Sequence, residues 1–423
     1  MAMAEALTGV RVSIVGINYA PEPTGSAPYT AGLAEILAEH GAEVDVLTGV
    51  PHYPTWRVED PYRNRLRFRE ERNGVRVHRA RHFVPRRQTA VARLMWDGTF
   101  LANAGLMRPS RKPDVVIAST PSLGGAVVGA NLARRFRVPL GLVVQDLVGQ
   151  AAAQSGISGG GAVAGTAAKV EGRVLRSADL VAVVSPSFRR QLADYGVDDG
   201  RVRALPNWTH IADGTSDRAT TRARLGWAED SFVVLHTGNM GLKQDLGNVI
   251  DTARLLSDGQ DVLIVLMGDG SQREDLERSG RDVGSLRFLD PVPDDSYADV
   301  LRAADLLLVN ERPTVGEMSL PSKLTSYFAV GQPVLAAVSA DGACARELAA
   351  TDGAARRVDP GQPAALAAAI RTLRNEPAQL AAMGRAAAAY ADRALGRSTA
   401  AKNVLDFTHA LVEQSRRSAG SAR

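Results

Sequence analysis

Two lysines in the second half of the chain stand where an anion would need them. Lys243 closes the stretch Gly238-Asn239-Met240-Gly241-Leu242-Lys243, directly after the apolar run Phe232–Thr237. Glycines at 238 and 241 let the backbone come close to a ligand. A lysine at the start of the next helix adds a compact charge where free N–H groups already favour an anion. A diphosphate fits that arrangement; so does a plain surface lysine in a tight turn. Lys323 follows Pro321-Ser322 at the opening of a second helix, behind a loop that carries Glu311, Arg312 and Glu317. Proline and serine suit a helix start, whereas lysine there opposes the helix dipole unless an anion sits nearby. A third loop, Met267-Gly268-Asp269-Gly270, has two glycines and reads equally as a simple strand-to-helix turn.

The first half carries different chemistry. The strand pattern Arg11–Val15 runs into NYAPEPTGSAPYTAGLAEILAEHG. A dinucleotide cradle would read Gly-x-Gly-x-x-Gly at this turn. Here Pro21, Pro23 and Pro28 surround the single glycine Gly25, which makes a stiff turn instead. His52, Tyr53 and Trp56 follow the second strand pattern and read either as an acceptor-binding surface or as loop packing. Asp146 follows a later one. The seven histidines show no metal-ligand spacing. No pair of carboxylates stands out for glycoside hydrolysis.

These loops must be held by strands. Apolar runs without alternation, as in parallel sheets buried on both faces, fall at 11–15, 43–48, 75–79, 115–119, 139–144 and 180–184. A second set falls at 232–237, 262–267, 286–289, 306–310, 333–336 and 355–358, with helical patterns between many of them. The fold class expected is α/β, two doubly wound parallel-sheet (Rossmann-like) domains facing a cleft, with ligands at the carboxyl ends of the strands. The boundaries expected are 1–206 for the first domain, 207–226 for a linker and 227–395 for the second. An alanine-rich helical end follows, of which about 396–415 packs back on the first domain, and SRRSAGSAR is read as a disordered tail.

Composition sets outer limits. The chain has 423 residues, 45% hydrophobic and 23% charged, as a globular protein should. A single cysteine, Cys344, excludes an intrachain disulfide and fits a reducing cytoplasm. No signal peptide or membrane-spanning run is read from the sequence. The net charge of +4 is unevenly placed: twelve arginines and four acids fall between Arg57 and Arg93. That segment is either a solvated basic face or a surface for anionic headgroups. The stretch 89–108 behind it, with Trp96 and Phe100, reads as an interfacial helix or an ordinary core helix.

Taken together, GNMGLK after the first strand of the second domain and PSKLTSYFAVGQPVL further on resemble the GT-B fold glycosyltransferases of the large retaining family 4. The opening NYAPEPTG, VQDL at 144–147 and LPNW at 205–208 are similar to its exopolysaccharide members. The resemblance runs from about 10 to 400. It implies a nucleotide held mainly by the second domain and a first-domain loop that closes over phosphates, with Gly25 as that loop's glycine. Lys243 matches the diphosphate-binding lysine, and Glu317 corresponds to the acidic residue that holds donor-sugar hydroxyls. Backbone N–H groups of Met318, Ser319, Leu320 and Ser322 would face sugar and phosphate, beside Gly238, Asn239 and Gly241. Two departures matter. The glutamate that binds ribose hydroxyls in the family is replaced by Ser326, and the basic residue often found just before Lys243 is absent, a charge Lys323 can supply.

The resemblance implies a catalytic set of Lys243, Glu317 and Asp146, with His52, Tyr53 and Trp56 toward the acceptor. It implies transfer from a UDP- or GDP-linked sugar with retention. The acceptor would be a lipid-linked sugar or an oligosaccharide, at the anionic inner face of the plasma membrane. No cofactor, no required metal and no nucleic-acid partner are expected. A nucleotide-sugar 2-epimerase, an NAD(P)-dependent oxidoreductase and a catalytically inactive partner are the rival readings.

Overall fold

The structure is a computed structural model that describes residues 7–421 apart from 24, 54, 59, 86–88, 148–159, 187, 212–213, 258–260 and 316–321. The chain forms two compact units, Met1–Asn207 with Ser398–Arg423, and Trp208–Arg397.

The first unit holds β1 (Arg11–Val15), β2 (Glu43–Gly49), β3 (Arg67–Arg72), β4 (Val75–Ala80), β5 (Val115–Ser119), β6 (Leu140–Val144), β7 (Leu180–Val183) and β8 (Val202–Ala204). Their order in the sheet is β3-β4-β2-β1-β5-β6-β7-β8. Every pairing is parallel except β3 with β4, which is antiparallel. Residues of β1, β5 and β6 are buried almost throughout, because helices cover both faces of a doubly wound sheet. The strand β3 was not anticipated. Its sequence RFREER is charged and largely exposed, as suits a sheet edge that must not pair with another chain. Its three arginines, Arg67, Arg69 and Arg72, belong to the basic stretch.

The helices α1 (Ala27–Glu39), α2 (Ala90–Ala104), α3 (Leu123–Phe136), α4 (Gly160–Ser177) and α5 (Phe188–Asp194) belong to this unit. The second unit contributes α6 (Arg218–Leu225), α7 (Leu246–Leu256), α8 (Arg273–Ser279), α9 (Asp294–Ala303), α10 (Lys323–Ala329), α11 (Ala343–Ala349), α12 (Pro363–Arg374) and α13 (Pro377–Tyr390). The last helix, α14 (Arg397–Ser421), returns to the first unit and carries on past the start of the tail read as disordered. Gly141 makes room for it: a Cβ there would stand 2.6 Å from Leu411 and 2.9 Å from Phe407.

The second sheet contains β9 (Phe232–Thr237), β10 (Val262–Met267), β11 (Leu286–Leu289), β12 (Leu306–Asn310), β13 (Val334–Ala337) and β14 (Ala355–Val358) in the order β11-β10-β9-β12-β13-β14, all parallel. The chain reverses its winding between β9 and β12. In such sheets the crevice beyond the carboxyl ends of those two strands is where a ligand binds. In the first unit the same point falls between β1 and β5.

Candidate functional site

In the second unit the lysines and glycines singled out in the sequence converge on the β9–β12 switch point. Thr237 ends β9, and Gly238 turns the chain at φ +100°, a conformation that favours glycine. The turn is braced from two sides. Asn310, at the end of β12, donates from Nδ2 to the carbonyls of Gln244 (2.8 Å) and Asp245 (3.0 Å). The Arg312 N–H donates to the carbonyl of Lys243 at 2.9 Å, which ties the loop after β12 to the lysine's own peptide. On the other side, the Met240 N–H donates to the carbonyl of Asp269 at 2.8 Å. The two glycines of the 268–270 turn now have a reason. A Cβ on Gly268 would lie 1.8 Å from the Gly238 oxygen, and one on Gly270 would lie 2.7 Å from Met240 N. That loop is the backing of the anion turn.

Lys323 opens α10 and sends its amine back beneath Gly238, where an added Cβ would lie 3.8 Å from Nζ. The residue is half-exposed along its length, yet Nζ itself is enclosed, 3.0 Å from His236 Nε2. The other ring nitrogen of His236, Nδ1, lies 3.1 Å from the Leu308 carbonyl and must donate to it. Nε2 is therefore the acceptor for the Lys323 amine. Burial, then the Lys323 charge, hold His236 well below its ordinary pKa, so the ring is neutral. Burial pushes Lys323 down to about 7, against the pull of Glu311. Burial pushes the Glu311 carboxyl up to about 7, against the pull of Lys323 and Lys243. Lys243 is exposed. A buried carboxyl facing two lysines and a buried amine resting on a neutral imidazole form a site whose charge state is undecided near neutral pH. An anion would decide it.

Gly238, Asn239, Gly241, Lys243 and Lys323 are thus brought together, with Ser322 exposed just before α10. Ser326 is buried on the inner side of α10, where it and Thr237 hydrogen-bond the Tyr297 phenol. Glu317, Met318, Ser319 and Leu320 lie outside the described residues. Glu311 and His236 went unassigned in the sequence. Glu311 had a signal, a carboxyl directly after a buried strand. His236 had none, since it sits within the strand.

In the first unit, loops at the carboxyl ends of β1, β2 and β6 hold the other candidates. His52 is buried, whereas Tyr53 and Trp56 of the same loop are half-exposed. Its Nε2 accepts from Trp96 Nε1–H at 3.0 Å. Trp56 stands at φ +52°, strained for a bulky residue, with its ring 5.7 Å from Tyr53 and 6.3 Å from Trp96. Gly25 has φ +71°, and a Cβ there would touch the Tyr53 ring at 3.3 Å. Asp146 is half-buried; its Oδ1 accepts from the Leu147 N–H at 3.0 Å, and its carbonyl accepts from the Thr120 hydroxyl at 3.2 Å.

The basic stretch is less of a surface than its composition implied. Arg79 is fully buried, with its guanidinium donating to Glu70 and to the Gly49 and Ala20 carbonyls. Arg76 is bound to Asp45 and Glu43. Arg57, Arg63, Arg65, Arg67, Arg69, Arg72 and Arg93 are exposed. Near them in sequence, α2 presents Val91 (65% exposed), Leu94 (59%) and Met95 (48%) on one face. Among the described residues no helix is long and apolar enough to cross a membrane, and no group of three or more His, Cys, Asp or Glu side chains is arranged to hold a metal.

Comparison with known proteins agrees with this geometry. Residues 24–208 match the glycosyl transferase 4-like domain, and residues 231–376 match the glycosyl transferases group 1 family. The chain is 31% identical over 376 residues to the putative colanic acid biosynthesis glycosyl transferase WcaI of Escherichia coli, covering 86% of this chain and 91% of WcaI. It is 30% identical over 412 residues to a D-inositol 3-phosphate glycosyltransferase of Kineococcus radiotolerans, covering 89% and 90%. Among solved structures, Anabaena HepE in complex with UDP superposes with a TM-score of 0.69 at 18% identity, covering 95% of this chain and all (100%) of HepE; that likeness bears on the fold. The chain belongs to the GT-B fold glycosyltransferases of family 4.

Proposed function

We propose that this glycosyltransferase moves a sugar from a nucleoside diphosphate sugar, with retention at the anomeric carbon and without a metal ion, to a lipid-linked or oligosaccharide acceptor. The observation that carries the donor class is the cluster at the β9–β12 switch point, in which Lys243, Lys323 and the Gly238 turn face one another around a buried Glu311. Two lysines suit a diphosphate, and they offset the charge that a metal would otherwise neutralise. The UDP found in the HepE structure favours uridine as the base. Glu317, Met318, Ser319 and Leu320 would complete the sugar end of the donor site.

In the reaction, the bond between the anomeric carbon and the β-phosphate oxygen breaks, and its electron pair stays on that oxygen. The acceptor hydroxyl oxygen bonds to the same face of the carbon, and its proton passes to the departing diphosphate. Lys243 and Lys323 stabilise the charge as it develops, which is where fixed electrostatics act most strongly on rate. Asp146, His52, Tyr53 and Trp56 belong to the unit that would take the acceptor, His52 from beneath and the other three nearer solvent.

The exposed arginines and the apolar face of α2 fit a protein held at the cytoplasmic face of a membrane rich in anionic lipid, where a lipid-linked acceptor would be. Function as an enzyme of cell-surface polysaccharide synthesis follows from that acceptor class and from the WcaI likeness. Incubation with UDP-glucose and a bacterial lipid extract in EDTA, followed by NMR of the glycosylated product, tests the reading. An α-linked product in EDTA supports it. A β-linked product, or activity only after a divalent metal is restored, contradicts it.

A further inference from the structure

We infer that Glu22 is a positioning residue that fastens the loop after β1 to the loop after β2, so that Gly25, Tyr53 and Trp56 are presented as one rigid surface. One carboxylate makes the connection. Glu22 Oε1 accepts from the backbone N–H of His52 at 2.8 Å and of Tyr53 at 2.9 Å, and Oε2 accepts from Asn18 Nδ2 at 2.8 Å. The Glu22 side chain is 2% exposed and that of His52 is fully enclosed (0%). Burial alone would push the Glu22 carboxyl up, but the hydrogen bonds from His52 and Asn18 outweigh it and hold the group below its ordinary value. Glu22 therefore stays ionised, with Oε1 taken up by the His52 and Tyr53 amides and Oε2 held by Asn18.

The ring of His52 extends the connection. Nδ1 lies 2.9 Å from the Val50 carbonyl and 3.1 Å from Glu22 Oε1, so it donates, and Nε2 accepts from Trp96. This ties α2 to the same cluster. Arg79 braces it from below, through the carbonyls of Ala20 in the first loop and Gly49 at the end of β2. The exposed edge of the cluster is Trp56, Tyr53 and Trp96, and the Gly25 turn rests on the Tyr53 ring. A polar network fully satisfied inside a low-dielectric pocket fixes geometry more firmly than packing alone. Between Pro21 and Pro23, the buried Glu22 adds a fixed point to the loop.

The inference rests on the reading that the first unit presents substrate. It is tested by hydrogen exchange of the full-length wild type, Glu22→Ala and Glu22→Gln proteins, together with steady-state release of UDP from UDP-glucose. Glu22→Ala is expected to raise amide exchange in 18–28 and 51–57 at least tenfold while the strands keep their protection. It should lower kcat at least tenfold and change KM less than threefold. Glu22→Gln keeps an oxygen for the His52 and Tyr53 amides and should restore both protection and kcat. Should Glu22→Ala fail to fold, Glu22→Asp carries the same expectation, since it keeps the charge but withdraws the oxygens by one methylene. Unchanged exchange in the two loops overturns the inference, as does a Glu22→Gln protein as loose as Glu22→Ala. A wild type that releases no UDP, with loops that still loosen in Glu22→Ala, counts against the transferase reading with this donor and leaves the clamp standing.

Discussion

The Lys323 amine meets the neutral Nε2 of His236 at 3.0 Å, and its nearest buried carboxyl, Glu311, makes no ion pair with it among the described residues. A buried ammonium without a bonded counterion is costly, so the group titrates near neutrality. The same holds for Glu311, whose carboxyl is likewise pushed to about 7. An incoming diphosphate would charge Lys323 and protonate Glu311.

UDP binding should therefore take up protons. The charged form of Lys323 and the neutral form of Glu311 both favour an anion, so both signs agree. Affinity is expected to be highest below pH 7 and to fall as pH rises through about 7 to 8. Isothermal titration in buffers of different ionisation enthalpy reads the proton count directly. Net proton release on binding would show that the charge states have been assigned wrongly. Glu311→Gln should remove one of the two protons taken up and move the remaining fall in affinity, that of Lys323, to lower pH.

Lys243→Ala should cost about 10²–10³ in kcat/KM, the loss typical of a donor that meets charge developing in the transition state. The protein's melting temperature in the absence of nucleotide should not move, because Lys243 is exposed and, among the described residues, its side chain makes no hydrogen bond or ion pair. A matching loss of stability would make the lysine structural.

Gly268→Ala places a methyl group 1.8 Å from the Gly238 carbonyl, at a φ of +148°. The anion turn must move to admit it. A loss of about 1–3 kcal/mol in stability is expected from overpacking, with UDP affinity reduced more than tenfold. Wild-type UDP affinity in this variant would detach the 268–270 turn from the site.

In the first unit, buried Asp45 stabilises the fold away from the candidate site. Its carboxylate accepts from His78 (2.7 Å), from the Ser110 hydroxyl (2.7 Å) and from Arg76 (3.0 Å). Burial pushes the carboxyl up, but these bonds outweigh it and hold its pKa well below the usual range. A depressed carboxylate stabilises the fold above its unfolded pKa, about 4, and that contribution is lost as pH falls toward the folded value. Asp45→Asn should cost about 3–5 kcal/mol at pH 7, as breaking a buried ion pair does, and less at pH 3. Urea unfolding at the two pH values measures it. The Ser110, His78 and Asp45 side chains do not form a hydrolytic triad, because the hydroxyl donates to the carboxylate.

Much of this was legible in the sequence, and the failures have physical causes. Most strands of both sheets, and the loops at their carboxyl ends, followed from apolar runs and turn glycines, since parallel strands buried on two faces leave little ambiguity. The strand β3 did not, because an edge strand made of arginines and glutamates has no apolar face to reveal it. Arg79 was counted with a basic surface, yet it lies fully buried, since one-dimensional charge counts cannot show that Glu70 and two carbonyls enclose it. For His52 the sequence leaves an acceptor-binding surface and loop packing equally open. Its burial depends on Glu22 and Trp96, 30 and 44 residues away in the chain. Lys323 carried the clearest signal, a charge on the wrong end of a helix.

Metal-free binding of a nucleoside diphosphate by the second unit is decided by a thermal-shift titration with UDP in the presence of EDTA. Ligand at 100 times its Kd adds about 2.7 kcal/mol to the stability of a protein that binds it only when folded. An upward shift that EDTA leaves intact and that Lys243→Ala abolishes is the predicted result. A shift that requires added magnesium, or one that survives in Lys243→Ala, contradicts the account.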